Sequence, residues 1–290
     1  ALRGSGCRNA IDTSEALEAK AEALADHRQM GSVGDSHGAL RREVLLLGDS
    51  ITQFSFSTET ARAPGWASIL ADRFSRKVDI INRGYSGYNT RKVRAILPIV
   101  LGEARREKLL FATLFLGAND SAPSDESPLC SHVPLDEFEA NLIEIGKQLK
   151  SIAEVLVIIA PPPVDRTGEG AFGRTLEKTR EYAEVAARVA GFLEVRLLDT
   201  FSEMQACGED EWKAMLIDGL HLTGKGNMFI ADALLKKLAE GPLVIHPDQV
   251  LLDLPDFQKL DRVDPASSLT REAAPGNGCL HWIDAMEAKG

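Results

Sequence analysis

From Glu43 to about Ala239, short apolar runs alternate with longer stretches of helical periodicity. The run at 44–47 is continuously apolar, which predicts a strand buried on both faces of a sheet. Strands that alternate with helices indicate βαβ units and a parallel sheet. We therefore predict an α/β fold, a flavodoxin-like three-layer α/β/α sandwich with a five-stranded parallel sheet. The five strands are predicted at 44–47, 78–82, 111–116, 155–159 and 194–198, and the helices between or after them at 66–74, 91–106, 135–150, 175–190 and 225–239.

Sequence on either side of this region has a different character. Residues 1–40 are predicted to be an extension, with a helix at 14–30 that Thr13 or Ser14 caps and a flexible linker at 31–38. The α/β domain between these two segments spans 41–245. Residues 246–290 are broken repeatedly by proline and are predicted to be a tail that wraps the domain or a neighbouring molecule. If the neighbour is a second copy of the chain, the tail would form a homodimer.

The charge balance argues against two classes of partner. A formal net charge of −10 gives no electrostatic reason to bind nucleic acid or an anionic membrane surface. No apolar run is long enough to span a membrane, and no apolar signal region is visible, so a cytoplasmic location is expected, with a removed leader as the alternative. Free thiols in a reducing compartment are expected for Cys7, Cys130, Cys207 and Cys279, with a Cys7–Cys279 bridge as the alternative.

Small and polar residues follow the first three predicted strands. Ser50, in Gly48-Asp49-Ser50, lies where the first strand turns into a loop, so its hydroxyl can be exposed at the carboxyl edge of the sheet. After the second strand, Gly84 can bring its backbone N–H close to a ligand because no side chain intervenes. After the third, the amide of Asn119 can donate a hydrogen bond to an oxyanion.

A fourth segment precedes the last predicted helix and contains Asp218 and His221. A catalytic histidine needs an acid to fix its tautomer, and an aspartate three residues earlier can reach its ring. Each of the four segments alone could be an ordinary turn or a structural histidine. Taken together, a serine, a His-Asp pair and two oxyanion donors at loop positions predict nucleophilic acyl transfer.

The four segments resemble the four blocks of the SGNH hydrolases, also called GDSL esterases and lipases. The resemblance is greater still to the isoamyl acetate-hydrolysing esterase branch, through 83–88, 115–120, 133–138 and 218–226, and it covers roughly 43–246. It implies a triad of Ser50, Asp218 and His221, with an oxyanion hole from the N–H groups of Ser50 and Gly84 and the amide of Asn119. Asp49 and Asp120, which flank two of these residues, are expected to support them.

The resemblance implies hydrolysis of small carboxylic esters, with short acyl groups of the acetate type, through an acyl-enzyme and without a metal or organic cofactor. Three histidines outside the fourth segment stand alone in the sequence, at His132, His246 and His281. Two alternatives stay open. One is a carbohydrate deacetylase, thioesterase or lysophospholipase with the same machinery, and the other is a binding protein on a hydrolase scaffold.

Overall fold

A computed structural model of the chain describes residues 41–102, 108–124 and 131–268. Its centre is a sheet of five parallel strands in the order β2-β1-β3-β4-β5. This order confirms the predicted flavodoxin-like sheet. The strands are β1 (Arg42–Gly48), β2 (Val78–Gly84), β3 (Leu109–Phe115), β4 (Ala153–Ile159) and β5 (Arg196–Leu198).

Helices cover both faces of the sheet. Side chains of β1 alternate between two apolar clusters, Leu46 lying in one and Leu47 in the other, as the two-residue period of a strand requires. The helices are α1 (Ser50–Gln53), α2 (Trp66–Arg73), α3 (Thr90–Gly102), α4 (Leu135–Ile152), α5 (Leu176–Leu193), α6 (Thr200–Ala206), α7 (Glu209–Lys213) and α8 (Gly224–Leu238). Helices α2 and α8 contribute to the first cluster and α3, α4 and α5 to the second.

Three short helices were not predicted. Ser50 begins α1, a four-residue helix, where a loop was expected. Helices α6 and α7 follow β5 in a region left without a prediction. Elements this short show less than two turns of periodicity, so an apolar pattern cannot reveal them. Pro98 lies inside α3 and does not end it.

The register of the strands brings the predicted functional loops together. Gly48, the last residue of β1, pairs with Gly84 of β2 on one side and with Phe115 of β3 on the other. Because all three strands run parallel, the residues that follow them emerge at the same carboxyl edge. That edge is where the candidate site lies.

The described part of the tail contacts the opposite edge. Asp253 accepts hydrogen bonds from Arg41 at 2.7 Å and from Arg76 at 3.3 Å, and Lys77 Nζ donates to Pro247 O at 2.7 Å. Arg41 and Lys77 directly precede β1 and β2, at the amino ends of these strands. The tail at 247–253 therefore packs away from the candidate site.

Some predictions concern residues outside the described ranges. These are the N-terminal helix and linker and the pairing of Cys7 with Cys279. Within the described ranges, Cys207 is exposed and its thiol is free. No helix in these ranges combines the length and apolarity needed to cross a membrane.

Candidate active site

A chain of hydrogen bonds links the predicted nucleophile, base and acid. Ser50 Oγ lies 2.9 Å from Nε2 of His221, and Nδ1 of the same ring lies 2.7 Å from Asp218 Oδ2. With Nδ1–H donating to the carboxylate, Nε2 is left as the acceptor for the serine proton, and this assignment of the tautomer follows from the hydrogen-bond network. The three residues therefore have the connectivity that general-base activation of a serine requires.

A tight loop before α8 holds the acid and the base. Leu216 and Leu222 form an antiparallel bridge across it, and the N–H of Ile217 donates to the carbonyl of His221 at 2.7 Å. Asp218 Oδ1 accepts from the backbone N–H groups of Leu220 at 2.9 Å and His221 at 2.8 Å. The carboxylate is thus fixed by its own loop, and its second oxygen is free to orient the imidazole.

These contacts also keep the acid ionised. Partial burial of Asp218 would raise the pKa of its carboxyl group. Hydrogen bonds from the His221 ring and from two backbone N–H groups outweigh burial and lower that pKa below its ordinary value. An ionised carboxylate can stabilise the imidazolium that forms when Ser50 loses its proton.

A second loop packs directly on the acid. The N–H of Gly170, between β4 and α5, donates to Asp218 O at 2.8 Å. A Cβ atom at Gly170 would lie 2.3 Å from the Asp218 carboxyl group, and one at Gly168 would lie 2.1 Å from Asp218 O. Only glycine therefore permits this close approach.

Ser50 is the first residue of α1 and is almost fully buried, with 5% of its surface exposed. Asp49 caps the helix, since its Oδ1 accepts from the N–H of Ile51 at 2.9 Å. The N–H of Ser50 makes no hydrogen bond within the part of the chain that the structure describes. It is therefore a free donor beside its own hydroxyl group.

The amide of Asn119 is held at both ends. Its Nδ2 donates to Tyr88 O at 2.9 Å, and its Oδ1 accepts from Nη2 of Arg174 at 3.1 Å. Because a guanidinium can only donate, the amide oxygen must face Arg174 and the NH2 group must face away from it. One of the two N–H bonds of this group is used by Tyr88, which leaves the second for a ligand.

Gly84 lies at the same edge, but its N–H is already engaged. It donates to Asn82 Oδ1 at 2.8 Å, and a Cβ atom at Gly84 would lie 2.0 Å from the backbone nitrogen of Gln53. Glycine is needed here so that β2 can pack against α1. Gly87, three residues later, has a φ of +76° and an N–H without an acceptor in the described residues. It precedes Tyr88, whose carbonyl oxygen binds Asn119.

Two buried carboxyl groups lie beneath these residues. Asp120 accepts from Thr90 through the backbone N–H at 2.9 Å and the hydroxyl at 2.5 Å, and so ties the loop after β3 to the start of α3. Burial raises the pKa of Asp49 to about 7 and that of Asp120 to about 6. Oδ2 of each carboxyl group has no partner in the described ranges. Each carboxyl group therefore binds a proton more readily than an exposed aspartate does, and we expect both to act as structural supports.

The raised pKa of Asp49 predicts a pH-dependent stability. The folded protein retains a proton that an unfolded carboxyl group loses at a pKa of about 3.9. Stability falls as pH rises from there through about 7, because folding then requires proton uptake or a buried charge. Asp49→Asn removes this loss. The melting temperature of the variant minus that of wild type should therefore be larger at about pH 8 than at about pH 5, by at least about 2–4 °C. A constant difference in thermal melts across that range would contradict the prediction.

A small pocket adjoins the reacting groups. Its enclosed part is about 10 Å³, room for one water-sized group, and it is lined by Ser50, Phe54, Ala61, His221 and Leu222 among others. The ring of Phe54 meets the His221 ring edge-on, with 5.8 Å between centroids. A compact substituent on the reacting carbon or its oxygen can therefore be accommodated next to the base.

A doubly wound α/β sheet that carries a linked Ser, His and Asp at its carboxyl edge defines the class of serine hydrolases. Comparison with known families narrows this class. Residues 46–228 match the model of the GDSL-like Lipase/Acylhydrolase family. The chain belongs to this family and is a carboxylic ester hydrolase.

Relatives agree with this assignment, and a solved structure agrees with the fold. The chain is 38% identical over 242 residues to the isoamyl acetate-hydrolyzing esterase 1 homolog of Rattus norvegicus, with 78% of this chain and 91% of the relative covered. It is 33% identical over 238 residues to the isoamyl acetate-hydrolyzing esterase of Saccharomyces cerevisiae, with 78% and 97% covered. The fold is similar to that of Axe2, an acetylxylan esterase from Geobacillus stearothermophilus, with a TM-score of 0.54, 20% identity, and 69% and 95% of the two chains covered.

Sequence reasoning missed three residues at this site. Arg174 and Gly170 lie in the loop between β4 and α5, which showed no motif. Gly87 was visible in the segment after β2, but the spacing could not show which glycine there has a free N–H. A left-handed φ, as found at Gly87, is a property of the folded turn.

Proposed function

We propose that the chain hydrolyses small carboxylic esters through an acyl-enzyme on Ser50. The observation that carries this proposal is the continuous hydrogen bonding from Ser50 through His221 to Asp218. A serine hydroxyl is a weak nucleophile at neutral pH and needs an adjacent base. His221 Nε2 is within reach of that proton, and Asp218 holds the ring in the required tautomer.

In the first step, Ser50 Oγ attacks the ester carbonyl carbon while His221 removes its proton. The carbonyl oxygen becomes an anion and needs donors that are already in place. Free donors at this edge are the N–H of Ser50, the second Nδ2–H of Asn119 and the N–H of Gly87. We propose Gly87 in this role in place of Gly84, whose N–H is bonded to Asn82.

In the second half of the reaction, His221 gives its proton to the leaving alcohol, and the carbon–oxygen bond to that alcohol breaks. A water molecule then attacks the acyl-enzyme with His221 as base, and the carboxylic acid is released as Ser50 regains its proton. Every proton transfer uses the same ring nitrogen, so no further titratable group is needed.

We expect a preference for short acyl groups, supported by two observations. The enclosed space next to Ser50 and His221 is only about 10 Å³, which leaves no room for a long chain within it. Relatives at 33–38% identity are named for the hydrolysis of isoamyl acetate, an ester with a two-carbon acyl group.

A panel of p-nitrophenyl esters from acetate to palmitate tests this preference. We expect kcat/KM to fall by at least about tenfold from the acetate and butyrate esters to the palmitate ester, because an acyl chain too large for the small pocket displaces the carbonyl carbon from Ser50, and a displacement of about 1 Å can cost about 10²-fold in rate. Faster hydrolysis of palmitate would contradict it and would favour the lysophospholipase alternative.

The same assay distinguishes the remaining alternatives. Acetylated sugars and an acyl thioester, added as competing substrates, would reveal a deacetylase or a thioesterase by a higher kcat/KM than that of any alkyl acetate. Absence of both turnover and labelling by a fluorophosphonate probe would favour a binding protein on a hydrolase scaffold. A cytoplasmic location and a homodimer formed through the tail stay predictions.

A further inference from the structure

Arg174 is a buried cation at the active-site edge, with only 3% of its surface exposed. It lies at the end of the loop between β4 and α5, just before Thr175 caps α5. A buried arginine is rare unless its charge and its donors are satisfied. The hydrogen bonds of the Arg174 guanidinium connect this loop to the proposed oxyanion donor Asn119.

Within the described residues, the guanidinium makes three hydrogen bonds, two of them to the loop that carries Asn119. Nε donates to Ala118 O at 2.6 Å, Nη1 to Ala171 O at 3.1 Å and Nη2 to Asn119 Oδ1 at 3.1 Å. Two of the three acceptors belong to consecutive residues after β3. The planar, rigid fork of the side chain can therefore fix both the backbone at Ala118 and the amide of Asn119.

The amide of Asn119 needs such a contact. The terminal torsion of asparagine is broad and roughly two-fold, so oxygen and nitrogen can exchange places at little intrinsic cost. In the exchanged orientation, the amide oxygen would face the developing oxyanion and repel it. Tyr88 O accepts from Nδ2 on one side, and Arg174 binds Oδ1 on the other. Both contacts select the same orientation.

Two carboxyl groups make the charge of Arg174 tolerable. Burial lowers the pKa of the Arg174 guanidinium, and the carboxyl groups of Asp49 and Asp120, when ionised, oppose that effect. These are the two aspartates that directly precede Ser50 and follow Asn119 in the chain. The cation thus interacts with the segments that carry the proposed nucleophile and the proposed amide donor.

We propose that Arg174 is a positioning residue, which acts by holding the Asn119 amide with its NH2 group toward the substrate oxygen. This proposal rests on the proposed function, because an oxyanion must form for the orientation of this amide to affect the rate. Its role is distinct from that of a general structural cation, since its kinetic effect must pass through Asn119.

A double-mutant cycle tests this dependence. Arg174→Lys keeps the charge but cannot reproduce the three-pronged fork, so we expect kcat for p-nitrophenyl acetate to fall at least about tenfold with KM within about threefold of wild type. In an Asn119→Ala background, the same substitution should change kcat by less than about twofold. Arg188→Lys is the matched control, because Arg188 on α5 forms an exposed ion pair with Glu139 and should leave both constants unchanged.

Three results would overturn the assignment. They are a normal kcat in Arg174→Lys, an equal loss of kcat in both backgrounds, and the failure of both Arg174→Lys and Arg174→Met to give a cooperative thermal melt. The last two would assign Arg174 to the fold. Failure of the proposed function is separable, because wild type would then show no turnover, or Ser50→Ala would retain it, before any arginine variant is made.

Discussion

Replacing Ser50 by alanine is expected to lower kcat by about 10⁴–10⁶-fold while the protein keeps its fold. In the proposed mechanism, the hydroxyl donates to the base and forms the covalent bond to the acyl group, and alanine can do neither. The side chain is small and lies at the start of a four-residue helix, where alanine is sterically acceptable. The measurement is kcat for p-nitrophenyl acetate together with a thermal melt on the same preparation.

A matched serine provides the control for this variant. Ser55 is also buried, five residues along the chain, and its hydroxyl donates to Thr52 O at 2.6 Å. Ser55→Ala should lose some stability but should keep kcat within a few-fold of wild type. A fluorophosphonate probe should label wild type and Ser55→Ala and should not label Ser50→Ala. A loss of less than about 10²-fold in Ser50→Ala would count heavily against its assignment as the nucleophile.

The sheet and the order of its strands could be predicted from the sequence because their sequence patterns are local and repeated. The buried strands read as apolar runs, and helices between them restrict the topology to a right-handed parallel sheet. Once the strands were placed, the rule that ligands bind at carboxyl ends brought Ser50 and Asn119 to one edge. In the structure, pairing of Gly48 with Phe115 brings those two loops together.

The supports of the site could not be predicted, because their role depends on contacts distant in sequence. Arg174 and Asn119 are separated by 55 residues, and an arginine ahead of a helix cap reads as an exposed charge. Gly170 is compatible with any turn, and only its approach to Asp218 makes it necessary. Single-sequence patterns report burial through periodicity, and loops have none.

Gly84 illustrates a limit of reasoning from motifs. Its position directly after a predicted strand suggested an N–H directed at a ligand, yet the structure uses that N–H to bind Asn82 and uses the missing side chain to pack against Gln53. Gly87 lies in the turn whose Tyr88 N–H donates to Tyr85 O at 3.0 Å, and it adopts the left-handed conformation that such a turn demands. Two glycines of one segment thus serve different purposes.

Asn119→Ala is expected to lower kcat by about 10²–10³-fold, roughly 2.7–4 kcal/mol, and to leave KM nearly unchanged. The reason is that the second Nδ2–H of Asn119 meets the substrate oxygen as a strong acceptor only when that oxygen becomes an anion. A donor that acts in the transition state alone does not contribute to binding of the ground state. Steady-state kinetics with p-nitrophenyl acetate measure both constants.

The structure also gives Asn119 a packing role, so kinetics must be paired with stability. Its amide bonds Tyr88 O and Arg174, and alanine leaves both without this partner. Asn141→Ala is the matched control, because Asn141 is fully buried and its amide bonds Thr90 Oγ1 at 3.2 Å and Arg94 at 2.9 Å, neither of which is a proposed catalytic or oxyanion-binding group. Loss of two such hydrogen bonds should lower the melting temperature of either variant by several degrees.

Only one of the two asparagine variants should also lose catalysis. If both melt at similar temperatures and Asn119→Ala alone has a large kcat defect, packing cannot explain that defect. Saturation labelling by the fluorophosphonate reports the fraction of molecules with a reactive Ser50, and kcat is then expressed per labelled site. A kcat per labelled site in Asn119→Ala close to that of Asn141→Ala would remove Asn119 from the oxyanion hole. The assignment of Arg174 as its positioning residue would then lose its basis, while the Ser50, His221 and Asp218 assignments would stand unchanged.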